Sequence, residues 1–351
     1  MSQSESFVLA YENSAGWDFQ ALRGVFQLCD RAHIDPTIIC DERMAEVISL
    51  NRSYRLVTVP NRSNVSNQLL QSVALDCGES PVKVLRFSEV AKFLQDNFSI
   101  PIGPCGKPYP IRSAYLNSSC GRKVSYYEQL SAITGEVKEA FGSSFSAVFI
   151  VVCYDKPRSD IALTESEQFL EGRRQSLLID DVAAVCAALQ EKALRKGGGV
   201  FPVFLSFQYG DIEQERARAK DSSSRQGCLY GIKFLNFLDL NNGFGQQLAA
   251  LSAIKDHAVI HGLPSLSFGN ASTYLHLIAS VGYFADSVVA LHAYPIADTL
   301  KDDRRYWLEL NDFIGGYHVY QQKTPGDWGA VFSNCSARLS ALLGLEEGGI
   351  Y

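Results

Sequence analysis

The 351-residue sequence predicts a mixed α/β (α+β) protein with a helix-rich C-terminal part, and it displays no pattern that assigns an enzyme superfold. Three observations carry that prediction. Hydrophobic residues make up 46% and charged residues 20%, the balance of a globular chain that can bury a core. Short β-branched and aromatic runs bounded by Pro, Asp or Asn alternate with stretches whose apolar residues recur at helical spacing. No internal repeat or low-complexity tract interrupts them.

Phe7-Val-Leu-Ala10 reads as a short strand, and Trp17, Leu22, Val25, Phe26 and Cys29 then fall on one helical face before Pro36. Thr37-Ile-Ile-Cys40, Arg55-Leu-Val-Thr-Val59 and Val82-Lys-Val-Leu-Arg-Phe87 are strand candidates, and Ser88 to Leu94 reads as a capped helix. Residues 99 to 122, rich in Pro, Gly and Ser, read as a long loop. Phe145 to Tyr154 is an apolar run suited to a buried strand. Leu177 to Leu194 is an amphipathic helix stopped by Gly197-Gly-Gly199, and Val200 to Phe207 returns as extended chain. Helix-like segments follow around Phe234 to Ile254 and Ser272 to Leu291. The expected organisation is an N-terminal arm over 1–17, a mixed lobe over 18–145 and a helix-rich lobe over 146–351, the two lobes interlocking as one unit.

Met1 to Ser6 has no positive n-region, and no apolar run reaches the ~18 residues of a spanning helix, so export and a membrane partner are not expected. Nine cysteines without a C-x-x-C pair read as reduced, mostly buried thiols, and no metal site is expected. The net charge of -6 argues against coating nucleic acid by bulk positive charge.

Local charge is another matter. No Asp or Glu lies between Glu46 and Asp76, where Arg52, Arg55 and Arg62 sit, or between Asp96 and Glu128. The second interval holds Lys107, Arg112, Arg122 and Lys123 interleaved with tyrosines that include Tyr115. Cations that neutralise phosphates beside rings that stack on unpaired bases suit single-stranded nucleic acid. Solvated loops with rim tyrosines have the same composition.

Signals for catalysis are thinner. Leu238-Asp-Leu-Asn-Asn-Gly243-Phe-Gly245, with Lys220 upstream, resembles the first motif of Rossmann-type methyltransferases that use S-adenosylmethionine, but Asn241 replaces the first glycine. Gly16 to Arg31 followed by Thr37-Ile-Ile39, with Thr273-Tyr-Leu-His276-Leu near the other end, can be read as an alternative, a two-lobed GT-B-like glycosyltransferase, but no phosphate-binding loop or H-x-R-type donor motif supports it. There is no GxxxxGK[ST], HExxH or GxSxG. His257 and His261 lack a third ligand, and Asp180-Asp181 and Asp302-Asp303 read as a helix start and a solvated face. No catalytic residue and no cofactor are therefore expected.

Ser206-Phe207, Asp211 and Glu215-Arg-Ala-Arg218-Ala-Lys220-Asp-Ser-Ser-Ser-Arg225 lead into Leu238-Asp-Leu-Asn241 running to Leu248. Ser267-Phe268 with Ile278-Ala-Ser280 to Asp286 follows, and then Gly326-Asp-Trp328 with Ala337-Arg-Leu339. In order and spacing this series resembles the sigma-NS proteins of orthoreoviruses, and is closest in kind to their aquareovirus counterpart. The resemblance implies a viral nonstructural protein, not an enzyme, that binds single-stranded RNA without strong sequence preference and forms dimers and higher oligomers. It further implies RNA-chaperone behaviour in the viral factories of the host cytoplasm, with a scaffold-forming viral partner. On that reading Arg216, Arg218, Lys220 and Arg225 join the RNA-binding set. The arm would contact other subunits through Phe7, Leu9, Tyr11 and Trp17, since the first basic residue is Arg23.

Overall fold

The computed structural model describes residues 6–10, 18–60, 65–77, 82–86, 89, 92–93, 96–97, 116, 128, 130–132, 135, 147–153, 179–197, 203–207, 232–233, 244–270, 273–281, 288–292, 304–305, 307–309, 311–312 and 316–346. Strand β1 (Ser6–Ala10) is followed by α1 (Asp18–Ala32), β2 (Thr37–Asp41), α2 (Glu42–Asn51), β3 (Arg55–Val59), α3 (Asn67–Asp76) and β4 (Val82–Arg86). These strands form a sheet of order β3-β2-β1-β4 in which every pair is parallel. Local chemistry marks the helix starts: Asp41 Oδ1 accepts from the Met44 N–H at 2.9 Å, and Ser66 Oγ from the Leu69 N–H at 3.1 Å.

The later part contributes β5 (Val148–Cys153), α4 (Ile179–Arg195), β6 (Val203–Phe207), β7 (Ile232–Lys233), α5 (Phe244–Ile260) and β8 (Ser265–Asn270). It ends with α6 (Thr273–Ala279), β9 (Val288–His292), β10 (Tyr317–Gln321) and α7 (Gly329–Leu342). The second sheet has the order β10-β9-β8-β5-β6-β7, again parallel throughout. This is the doubly wound order, in which the chain starts at the middle, runs to one edge, and crosses back to fill the other.

Right-handed crossovers decide which face each helix covers. The helix α3, which crosses from β3 to β4, packs Leu70 and Val73 on Val8, Ala10 and Ile39. On the other face of the first sheet, α1 and α2 share a core with Phe7, Leu9, Ile38 and Cys40. That core continues without a break into α5, α6 and one face of β5, through Leu248, Leu251, Leu275, Ile278, Val148 and Ile150. The opposite face of β5, Phe149 and Val151, packs with Val185 and Leu189 of α4 and with Val331, Cys335 and Leu339 of α7. The run predicted as a buried strand is apolar at every position because helices cover both sides of it. Helix α5 is apolar nearly all round for the same reason, lying between the second sheet and the helices of the first.

The mixed α/β expectation holds, while the α+β refinement yields to an α/β arrangement because all described strand pairs are parallel. Among the described residues of the segment expected to be helical from Ser272 to Leu291, Thr273–Ala279 is helix, whereas Val288–His292 is strand. Val288-Val-Ala-Leu-His292 is buried throughout, and short apolar runs of that kind do not reveal their period. The proline-rich stretch 99–122, apart from Leu116, and most of the helix expected over 88–94 lie outside the described residues.

One titration follows from the packing of α7 on β10. Arg338 Nη2 donates to His318 Nε2 at 2.8 Å, so the imidazole accepts there and is neutral. Burial, and then the Arg338 charge, push His318 from the usual 6.5 down to about 4. The unfolded chain takes up this proton near pH 6.5 and the folded chain only near 4, so this contribution to stability is full above pH 6.5 and is lost as pH falls through that window. The melting temperature of the wild type is expected to fall more steeply between pH 6.5 and 4 than that of His318→Gln. Parallel curves would show that His318 does not titrate this way.

Candidate functional site

In an open parallel sheet the ligand crevice lies outside the carboxyl ends of the strands, where the strand order reverses. In the second sheet the reversal falls between β5 and β8, which end at Cys153 and Asn270. Val152 of β5 pairs there with Gly269 of β8, whose φ of +151° is one that residues with a Cβ rarely adopt. Gly269 is buried and carries no side chain. In the first sheet the reversal falls between β1 and β4, ending at Ala10 and Arg86.

The carboxyl sides of the two sheets meet. Helix α1 leaves the carboxyl end of β1, and α5 begins on the carboxyl side of the second sheet on its way to β8. Phe19 in the first turn of α1 meets Phe244 at the start of α5 edge-on, with ring centroids 5.1 Å apart and planes at 90°. Beside them Glu46 of α2 lies against Gly245 of α5, where a Cβ would overlap its side chain.

Behind β8, helix α6 is held by stacked aromatics. The buried His276 ring lies on Trp307 at 4.1 Å and 22°, and Trp307 leans on Tyr317 at 5.5 Å. The Tyr317 hydroxyl donates to the Ala279 carbonyl at 3.5 Å. At the carboxyl ends of β9 and β10 the buried polar residues His292 and Gln322 are joined through the backbone, the Gln322 N–H donating to the His292 carbonyl at 3.0 Å. The segments 11–17, 154–178, 208–231, 271–272 and 293–303, which follow β1, β5, β6, β8 and β9, lie outside the described residues.

The residues expected to bind RNA are not gathered at these edges where they are described. The Arg52 Nε and Nη2 donate to the Asp30 carboxylate at 3.2 and 2.5 Å, and its guanidinium lies 5.3 Å from the Phe26 ring centre. Arg55 Nη1 donates to the Asp76 carbonyl at 3.4 Å. Arg52 follows the end of α2 and Arg55 opens β3, so both sit at the amino side of the sheet, away from the crevice. Arg62, Lys107, Arg112, Tyr115, Arg122, Lys123, Arg216, Arg218, Lys220 and Arg225 lie outside the described residues, as do Tyr11 and Trp17. Phe7 and Leu9, expected on a subunit-contacting arm, are buried in β1 between β2 and β4.

His257 and His261 pack ring against ring at 4.4 Å, and no group of three or more potential metal ligands assembles among the described residues. Burial pushes the Cys29 thiol up to about 11, which suits an inert core thiol. No helix among the described residues is long and apolar enough to cross a membrane. Gly269 was missed at the sequence level because it belongs to no glycine motif; only the position of β8 in the sheet marks it.

No family model matches the chain, and no curated protein matches it. Solved structures do. The family 9 glycosyl transferase from Veillonella parvula DSM 2008 has a TM-score of 0.56 at 13% identity, over 99% of each chain. The E. coli ADP-heptose LPS heptosyltransferase II has a TM-score of 0.53 at 14% identity, over 96% of this chain and 98% of that one. At such identities the likeness is one of fold, and it extends over the whole chain.

These matches correct the expectation of a sigma-NS-like RNA chaperone: a non-enzyme partnered by single-stranded RNA and by a factory scaffold. The physical reason lies in the segments that carried the resemblance. Ser267-Phe268 lies inside the central strand β8, Ile278-Ala-Ser280 closes α6, and Trp328 and Leu339 pack α7 against the sheet. Their order and spacing reflect the alternation of buried strands and covering helices, which any parallel α/β chain of this kind repeats.

Proposed function

We propose that this chain is a glycosyltransferase of the GT-B fold, moving a sugar from a nucleoside diphosphate to an acceptor hydroxyl. The observation that carries the reading is the doubly wound second sheet, with its order reversing at Gly269, inside a fold shared end to end with two glycosyltransferases. The lobes divide near residue 145, the second taking the donor nucleotide and the first the acceptor.

The chemistry sets the demands on such a crevice. The bond from the anomeric carbon to the distal phosphate oxygen breaks, a bond to the acceptor oxygen forms, and the acceptor proton passes to a base. The nucleoside diphosphate leaves with the bonding electrons. Close approach of a pyrophosphate favours backbone without side chains, which Gly269 supplies at the reversal point. Two facing carboxyl edges, in contact at Phe19 and Phe244, bring donor and acceptor together while shielding them from water.

The test is a melting series with ADP, UDP, GDP and their sugar conjugates. One nucleoside diphosphate is expected to stabilise the chain saturably, by about 2.7 kcal/mol at a hundred times its Kd. The matching nucleotide sugar should release that diphosphate when a hydroxyl acceptor is present. No shift with any of them at millimolar concentration would remove this reading.

A further inference from the structure

We propose that the two sheets fold as one cooperative unit, pinned through the helical layer between them by Glu46 seated on Gly245 and by Arg23 bonded to the Ala279 carbonyl. The inference does not depend on the catalytic reading. One buried core runs unbroken from Phe7 of the first sheet to Tyr317 of the second, with α1, α2, α5 and α6 between. Apolar contact alone lets such layers slide, because it has no direction.

Two charged side chains of the layer, Arg23 buried and Glu46 half-buried, give it direction, and their polarities oppose. Arg23 of α1 is 1% exposed, and its Nη1 donates at 3.4 Å to the carbonyl of Ala279, the last residue of α6. Carbonyls at that end have no partner within their own helix, so a cation is favoured there. Glu46 of α2 lies against the first turn of α5, where amide groups are in excess and an anion is favoured. A Cβ on Gly245 would overlap Cγ, Cδ and Oε1 of Glu46, so the glycine is the socket for that side chain. Parting the sheets would break both contacts together and expose Phe19 and Phe244, leaving neither half a core of its own on that side.

Calorimetry on the full chain tests this. The wild type is expected to melt in one transition whose calorimetric and van't Hoff enthalpies agree. Gly245→Ala should lower the melting temperature by about 2–4 °C, because the added methyl displaces Glu46. The double variant Glu46→Ala with Gly245→Ala relieves the overlap but loses the contact, so it should still melt below the wild type; a return to the wild-type melting temperature would overturn the pinning by Glu46. Two separate wild-type transitions would overturn the proposal, and so would an unchanged or raised melting temperature in Gly245→Ala, since alanine is otherwise the better helix former. Should Gly245→Ala not fold, Arg23→Met keeps the volume and removes the guanidinium. A lower melting temperature is expected there too, and no change would overturn the pinning.

Discussion

Trp307→Ala is expected to destabilise the chain by about 3–5 kcal/mol, which for 351 residues corresponds to roughly 4–7 °C in melting temperature. Trp307 is fully buried at the junction of His276 on α6 and Tyr317 on β10, stacked on the first at 4.1 Å and tilted against the second. Truncation removes both ring contacts and leaves a cavity under α6, the helix that follows the strand bearing Gly269. Trp307→Phe keeps a ring in place and should retain more than half of the lost stability. Urea unfolding of the three proteins gives the comparison. A loss under about 1 kcal/mol for Trp307→Ala would show that the junction collapses around the gap and does not anchor α6.

The second large effect concerns ligand binding. Gly269→Val is expected to abolish the nucleoside diphosphate-dependent rise in melting temperature. Its φ of +151° strains any residue with a Cβ, at about 1–3 kcal/mol, and valine would put a branched side chain on the strand position that pairs with Val152 of β5. Gly269→Ala carries the same strain with less bulk, and should weaken the shift where the valine removes it. Both variants are to be compared at equal ligand concentration after circular dichroism confirms that they fold. A folded Gly269→Val chain with an undiminished shift would place the nucleotide elsewhere.

Much of the local structure was legible before any coordinates. Apolar runs such as Phe145 to Tyr154 and the Gly197 stop after the helix ending at Arg195 are short-range features. They depend on hydrophobic period, on a backbone φ of +72° at Gly197, and on side-chain chemistry, all of which a single chain displays. His276 was also visible, as part of a segment consistent with a two-lobed glycosyltransferase.

Strand order was not legible. Whether β8 lies beside β5 or β7 is decided by which helix faces bury against which sheet, a competition among contacts far apart in sequence. That order puts Gly269 at the point where the sheet reverses and turns Phe7 and Leu9 from an expected arm into a central strand, while Arg52 and Arg55 sit at the amino side of the first sheet. The acid-free windows were real features of the sequence, but a count of charges along the chain has no direction in space. Only the tertiary structure pairs Arg52 with Asp30 and seats Glu46 on Gly245, because each contact joins elements that the sequence holds apart and the packed core brings together.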